Sequence, residues 1–275
     1  MAKYDLIWLA SYPKSGNTWL RCFFSALFYE EKIDLNNLAF DEVFANQAMF
    51  SSLVKKDMAD FNEYQLAIER RKVLDFYLKT KPSPYLLKIH DNYTLSAYDD
   101  LPIFHTNRPT AAIYIVRNPF DLTISFSRYL GISIDEIIER YVCKTGATIF
   151  MNNRFPRQIG TWQEHLMSWK EQTKIPVIFV RYEDLKMYPY QNFKKILSFL
   201  SLDFTEDKIR EAIKKSDFNT LKQMESSSGF RERLLADVPF FHSGEIDKGA
   251  KELNYTQKQK IKDQNQEAME MFDYL

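Results

Sequence analysis

Ser11-Tyr12-Pro13-Lys14-Ser15-Gly16-Asn17-Thr18-Trp19 follows directly on the apolar run Leu6–Ala10 and leads into a helical pattern, Thr18–Phe28. A short buried strand, a tight loop of glycine and small polar residues, and a helix N-terminus together make a cradle for an anion. Backbone N–H groups of the loop point inward, and the helix dipole adds positive potential. Lys14 adds a full charge. The same residues also suit an ordinary β–α turn with a surface lysine, and the local physics leaves both readings open. The loop is not a Walker A loop, in which the lysine follows the last glycine. Here Lys14 comes two residues before Gly16. A lysine at the loop entrance suits a bridging oxygen better than a terminal phosphate.

Working outward, three further apolar runs read as strands: Tyr85–Ile89, Ala112–Val116 and Val177–Val180. None alternates polar with apolar, so a parallel sheet covered on both faces is expected. Helical patterns lie between them at Asp60–Leu78, Asp121–Leu130, Gly160–Lys170 and Tyr190–Leu200. This alternation predicts βαβ units in one α/β domain spanning residues 1–275, with a central parallel sheet flanked by helices. Ser226–Phe241 is the least regular stretch and is expected to be a mobile loop, with Lys144–Pro156 a second loop candidate.

The chain carries 37 basic and 37 acidic residues, so the formal net charge is zero. Bulk electrostatic attraction to nucleic acid is not expected, and an anionic ligand must be held by local groups. Cys22 and Cys143 are the only cysteines. They form neither a disulfide framework nor a metal site and are read as reduced thiols in a cytoplasmic protein. The first apolar run is too short for a signal sequence, and no stretch approaches the length that spans a bilayer, so no membrane association is expected.

The third strand ends in Val116-Arg117-Asn118-Pro119, and Ser125 follows Arg117 by eight residues. Pro119 suits a helix start. Arg117 and Ser125 could converge on a phosphate, or Arg117 could pair with Asp121; the segment alone supports either. The second strand ends in Lys88-Ile89-His90. In open α/β sheets, ligands bind beyond the carboxyl ends of the strands. Lys14, His90, Arg117 and Tyr182 all fall at such ends. His90, with an ordinary pKa near working pH, is the natural general base. His165, inside a predicted helix, is read as structural. Tyr141, Phe150 and Phe155 are read as core residues, with an apolar acceptor pocket as the alternative.

These segments resemble, in order and spacing, the PAPS-dependent sulfotransferases of the cytosolic type, where PAPS is 3′-phosphoadenosine 5′-phosphosulfate. Tyr12–Trp19 is similar to the family's 5′-phosphosulfate loop. Arg117-Asn118-Pro119-Phe120-Asp121 with Ser125 is similar to its 3′-phosphate motif, and Lys88-Ile89-His90 to the segment carrying its base. Gly160-Thr161-Trp162 and Arg181-Tyr182-Glu183-Asp184-Leu185 match as well. The likeness runs from Trp8 to about Phe272, and the modest length resembles bacterial members that sulfate natural products.

The resemblance implies a P-loop-like PAPS-binding fold and direct in-line transfer of a sulfuryl group to a hydroxyl or amine of a small molecule, leaving PAP, with no metal. It implies that backbone N–H groups of Ser15, Gly16, Asn17, Thr18 and Trp19 hold the 5′-phosphate. Trp19, Tyr182 and Phe218 would surround the adenine, and Arg117 and Ser125 would bind the 3′-phosphate. Lys14 would stabilise the leaving oxygen, Lys88 would touch the sulfuryl oxygens and His90 would take the acceptor's proton. Phe240-Phe241-His242-Ser243-Gly244 stands where the family has Phe-x-Arg-Lys-Gly. Ser243 and the Gly244 N–H remain as donors, and Arg231 or Arg233 are candidates for the missing charge. The family's short dimer motif is not recognisable in Lys251–Lys260, and the sequence does not define the oligomeric state. A small kinase would need the Walker lysine, and a binding-only protein would need no base.

Overall fold

The computed structural model describes residues 3–29, 33–38, 40, 43–56 and 60–275. Four parallel strands, β1 (Leu6–Ala10), β2 (Tyr85–Ile89), β3 (Thr110–Val116) and β6 (Val177–Arg181), form a sheet in the order β2-β1-β3-β6. A two-residue antiparallel pair, β4 (Thr148–Ile149) and β5 (Arg157–Gln158), stands apart from it. β1 is buried at every position, as a central parallel strand should be. β6, at the edge, alternates buried and partly buried residues, so the apolar run Val177–Val180 concealed a half-covered strand.

Helices α1 (Asn17–Tyr29), α2 (Gln47–Val54), α3 (Glu63–Lys79), α4 (Pro119–Leu130), α5 (Ile134–Ile137) and α6 (Trp162–Glu171) connect or precede the strands. They are followed by α7 (Tyr182–Met187), α8 (Pro189–Phe199), α9 (Glu206–Lys215), α10 (Phe218–Ser228), α11 (Lys248–Glu252) and α12 (Tyr255–Met271). Most of the buried apolar residues, from Tyr4 to Met269, make one continuous core. The structure is thus the single α/β domain expected, a central parallel sheet flanked by helices.

Local chemistry sets the element ends that matter. Asn118 caps α4 by accepting from the Phe120 N–H at 2.9 Å, Pro119 occupies the first helical position, and Gly131 closes the helix in a left-handed conformation. Thr161 and Glu164 form a reciprocal capping box at the start of α6. Two loop expectations are corrected. Ser226–Ser228 form the last turn of α10, because Asp217 caps that helix and Gly229 ends it. Within Lys144–Pro156, Thr148 and Ile149 pair with β5. Ser–Gly composition marked a helix end rather than a loop start.

Candidate active site

Register carries the strand ends to one rim. Ala10 of β1 faces Ile89 of β2 and Tyr114 of β3, and Val116 of β3 faces Arg181 of β6. The residues just beyond these positions line one cavity of about 650 Å³: Lys14, His90, Arg117 and Tyr182. Lys88, Asn17, Thr18, Trp19, Ser125, Phe218, Ser243 and Gly244 also line it.

The loop after β1 bends through positive φ at Lys14 (70°) and Gly16 (106°). A side chain at Gly16 would meet Tyr182 Cδ2 at 2.8 Å, so the glycine also admits a close approach. Asn17 and Thr18, the first two residues of α1, have no carbonyl one turn earlier within the helix and line the cavity, whereas the Trp19 N–H donates to the Gly16 carbonyl at 3.0 Å. Ser15 differs from the expected cradle: it is buried, its N–H donates to the Tyr12 carbonyl at 3.3 Å, and its side chain does not reach the cavity.

Lys14 Nζ lies 4.1 Å from the Tyr129 ring centroid and 3.8 Å from that of Phe240. Both rings can hold an ammonium through their quadrupoles. Burial, reinforced by the charges of Arg117 and Lys88, lowers its pKa to about 7.

His90 Nδ1 lies 2.8 Å from the Ser11 carbonyl oxygen and 3.2 Å from Ser11 Oγ. A carbonyl only accepts, so the assigned tautomer carries its proton on Nδ1 and leaves Nε2 with its lone pair. Burial first, then Lys88 and Arg157, hold this imidazole well below its ordinary pKa. It is therefore neutral at physiological pH, the state a base requires. His165 is structural, as expected: fully buried, it donates from Nε2 to the His90 carbonyl at 3.0 Å. Its Nδ1 accepts from the Tyr114 hydroxyl at 2.7 Å.

Arg117 does not pair with Asp121. Its Nη1 donates to the Lys14 carbonyl at 3.1 Å, and its guanidinium lies 4.5 Å from the Tyr182 ring centroid. Asp121 instead accepts from the backbone N–H groups of Asp247, at 2.9 Å, and Gly249, at 2.6 Å. The carboxylate pins the C-terminal segment onto α4, and Arg117 lines the cavity with its Nη2 donating to the Glu245 carbonyl at 3.4 Å. Trp19 and Tyr182 meet edge to face with centroids 5.6 Å apart. The Tyr182 hydroxyl donates to the Gly244 carbonyl at 3.2 Å.

One participant was missed by sequence reasoning. Glu232, in the segment after α10, is paired with the fully buried Arg21 of α1 and with Lys88 Nζ at 3.3 Å. Burial alone would raise its pKa, but Lys88 and Arg21 outweigh this and hold the carboxyl far below its ordinary range. The same segment is anchored by buried Glu225, which accepts from the N–H groups of Phe240, at 2.7 Å, and Phe241, at 2.8 Å.

The far wall of the cavity comes from Asn46, Ile149, Met151, Arg154 and Arg157. The aromatics considered from the sequence are not part of it. Phe155 is core, Tyr141 packs on Phe126 at 5.2 Å, and Phe150 is 76% exposed, neither core nor pocket.

A buried histidine, Lys14, Lys88, Arg117 and the glycine loop before α1 thus share one cavity. The family model described as "Sulfotransferase domain" matches residues 4–273. Cytosolic sulfotransferase 15 of Arabidopsis thaliana is 30% identical over 254 residues, covering 86% of this chain and 64% of that protein. The amine sulfotransferase of Oryctolagus cuniculus is 25% identical over 79% of this chain and 63% of its own length. A mouse sulfotransferase solved with PAP shares the fold with TM-score 0.63 at 21% identity, covering 96% of this chain and 84% of that one. The chain belongs to the sulfotransferase family. Among the described residues, no helix is long and apolar enough to cross a membrane.

Proposed function

We propose that this chain transfers the sulfuryl group of PAPS to a hydroxyl or amine of a small molecule, a natural product or other secondary metabolite, with His90 as general base. The observation that carries the reading is the convergence of Lys14, His90 and Arg117 from three adjacent strand ends on one cavity. A retinol dehydratase solved with androsterone and PAP shares the fold, with TM-score 0.62 at 15% identity over 96% of this chain and 80% of that one.

In this reading, the N–H groups of Gly16, Asn17 and Thr18 and the α1 dipole hold the 5′-phosphate, while those of Ser15 and Trp19 stay on the Tyr12 and Gly16 carbonyls. Trp19, Tyr182 and Phe218 surround the adenine. Arg117, Ser125, Ser243 and Gly244 receive the 3′-phosphate. His90 Nε2 accepts the acceptor's proton as its oxygen or nitrogen attacks sulfur in line. The bond from sulfur to the bridging oxygen breaks, and Lys14 stabilises the charge left on that oxygen. Lys88 faces the equatorial sulfuryl oxygens. Positioning and fixed charge supply most of the rate.

The test pairs binding with turnover. Thermal stabilisation by PAP, but not by ATP or NAD, is expected. With PAPS and a panel of hydroxyl- and amine-bearing metabolites, mass spectrometry should show products heavier by one sulfuryl group. Equal stabilisation by ATP would favour a kinase-like activity and overturn the proposal.

A further inference from the structure

Arg128 stands three residues after Ser125 on α4, so the two share a face of the helix, and both line the cavity. Its Nη2 donates to both oxygens of Glu252, at 3.1 and 3.0 Å. Its Nη1 is turned the other way, 3.4 Å from His242 Nδ1. Lys248, which also lines the cavity, lies 3.5 Å from each of Glu245 and Glu252. The two cations thus flank the segment His242–Gly244. Arg233 is directed elsewhere, 3.9 Å from buried Glu225.

We propose that Arg128, assisted by Lys248, supplies the fixed positive charge that holds the 3′-phosphate of the donor on the side opposite Arg117. This rests on the PAPS reading above. A phosphate dianion needs permanent charge, and His242 does not provide it at neutral pH. Burial, together with Arg128, Lys248 and Lys222, lowers the His242 pKa. Arg128 can serve without leaving Glu252, because a guanidinium has five donors and its Nη1 edge faces the segment that closes the site. The sequence candidates Arg231 and Arg233 are not needed for this role.

The competing view is that Arg128 and Glu252 merely tie α4 to α11, and the two views predict opposite behaviour for the carboxylate. Binding of PAP and of adenosine 5′-phosphate is measured calorimetrically in wild type, Arg128→Gln, Arg128→Lys and Glu252→Gln. For a phosphate ligand, Arg128→Gln weakens PAP by roughly 10–100-fold, the scale of a lost charged hydrogen bond, and leaves adenosine 5′-phosphate nearly unchanged. Arg128→Lys recovers part of the loss. Glu252→Gln keeps PAP affinity or tightens it. A PAP preference retained in Arg128→Gln, or an equal loss in Glu252→Gln, overturns the assignment. Wild-type protein that binds PAP no better than adenosine 5′-phosphate overturns the donor reading, and this assignment with it.

Discussion

The Lys14 ammonium nitrogen lies 3.8 Å from the centroid of the Phe240 ring, so the lysine of the first loop is covered by a residue more than two hundred positions later. This contact, with Tyr129 on another side, explains why burial brings its pKa to about 7. Bound phosphate favours the protonated amine, so donor binding takes up a proton above that pH. PAP affinity is expected to fall as pH rises through about 7, and Lys14→Met should flatten that slope in calorimetric titrations. In kinetics, Lys14→Met should lower kcat far more than it raises KM for PAPS, since the charge it meets develops in the transition state. A change in KM alone would make Lys14 a binding residue only.

The same lysine sets a stability trend of defined sign. Its pKa is about 7 in the folded chain against 10.5 as an ordinary lysine. Between these values the unfolded chain binds more protons, so this group makes stability rise with pH across that window. Below pH 7 its cost is fully present. Urea denaturation of wild type and Lys14→Met at both ends of the window should show the variant's advantage shrinking as pH rises.

Removing the imidazole of His90 should abolish proton transfer and spare the donor site. His90→Ala is expected to keep PAP affinity and lose roughly 10²–10⁴-fold in kcat. Because the His90 pKa is lowered from 6.5, the wild-type rate should hold level below pH 6.5 rather than fall with ordinary imidazole protonation. A rate limb centred at the ordinary value would contradict the buried, carbonyl-bonded geometry.

Glu232→Ala removes the carboxylate paired with the fully buried Arg21 guanidinium, leaving it the Leu38 carbonyl at 3.4 Å among its acceptors. The expected cost is about 3–5 kcal/mol of unfolding free energy, the usual result of deleting one member of a buried ion pair. Glu232→Gln should cost less, since an amide oxygen still accepts from Arg21. If the alanine variant were as stable as wild type by denaturant titration, Arg21 would have another sufficient partner.

At Gly249 a methyl group would stand 2.3 Å from the Phe120 carbonyl carbon and 2.6 Å from the Asp121 nitrogen. Both neighbours are backbone and cannot swing aside. Gly249→Ala should therefore push α11 off α4 and cost roughly 1–3 kcal/mol, as overpacking does. It should also weaken PAP, because Asp121 would lose its hold on Asp247 and Gly249. Unchanged melting temperature and PAP affinity would show that the contact yields.

The strand runs Leu6–Ala10 and Tyr85–Ile89 were legible because buried parallel strands need nothing but apolar residues, and their bounds match the structure. Lys14, His90 and Arg117 were legible because chemistry gathers at carboxyl ends of such strands, and the cavity indeed joins them. Glu232 and Phe240 were not. Their roles arise when a late segment folds back over the first loop, across separations no local pattern encodes. Arg128 left a faint trace in its spacing from Ser125, but only the structure shows His242 beside it. Phe150 was misjudged because a Phe-rich composition says nothing about which rings are turned outward.

The alignment of His90 is inherited from the sheet rather than from the loops around it. Beyond the last paired residues, the Ser11 N–H still donates to the Ile89 carbonyl at 3.3 Å, and the His90 ring answers on the Ser11 carbonyl. The side chain thereby continues the ladder by one rung. The far wall, built by the β4–β5 pair and the segment near Asn46, meets this rung through the Asn92 N–H on the Gln158 carbonyl at 2.8 Å. On the reading proposed above, such a division makes the wall an exchangeable cassette: its length and side chains can be redrawn for a new acceptor while His90 Nε2 keeps its bearing.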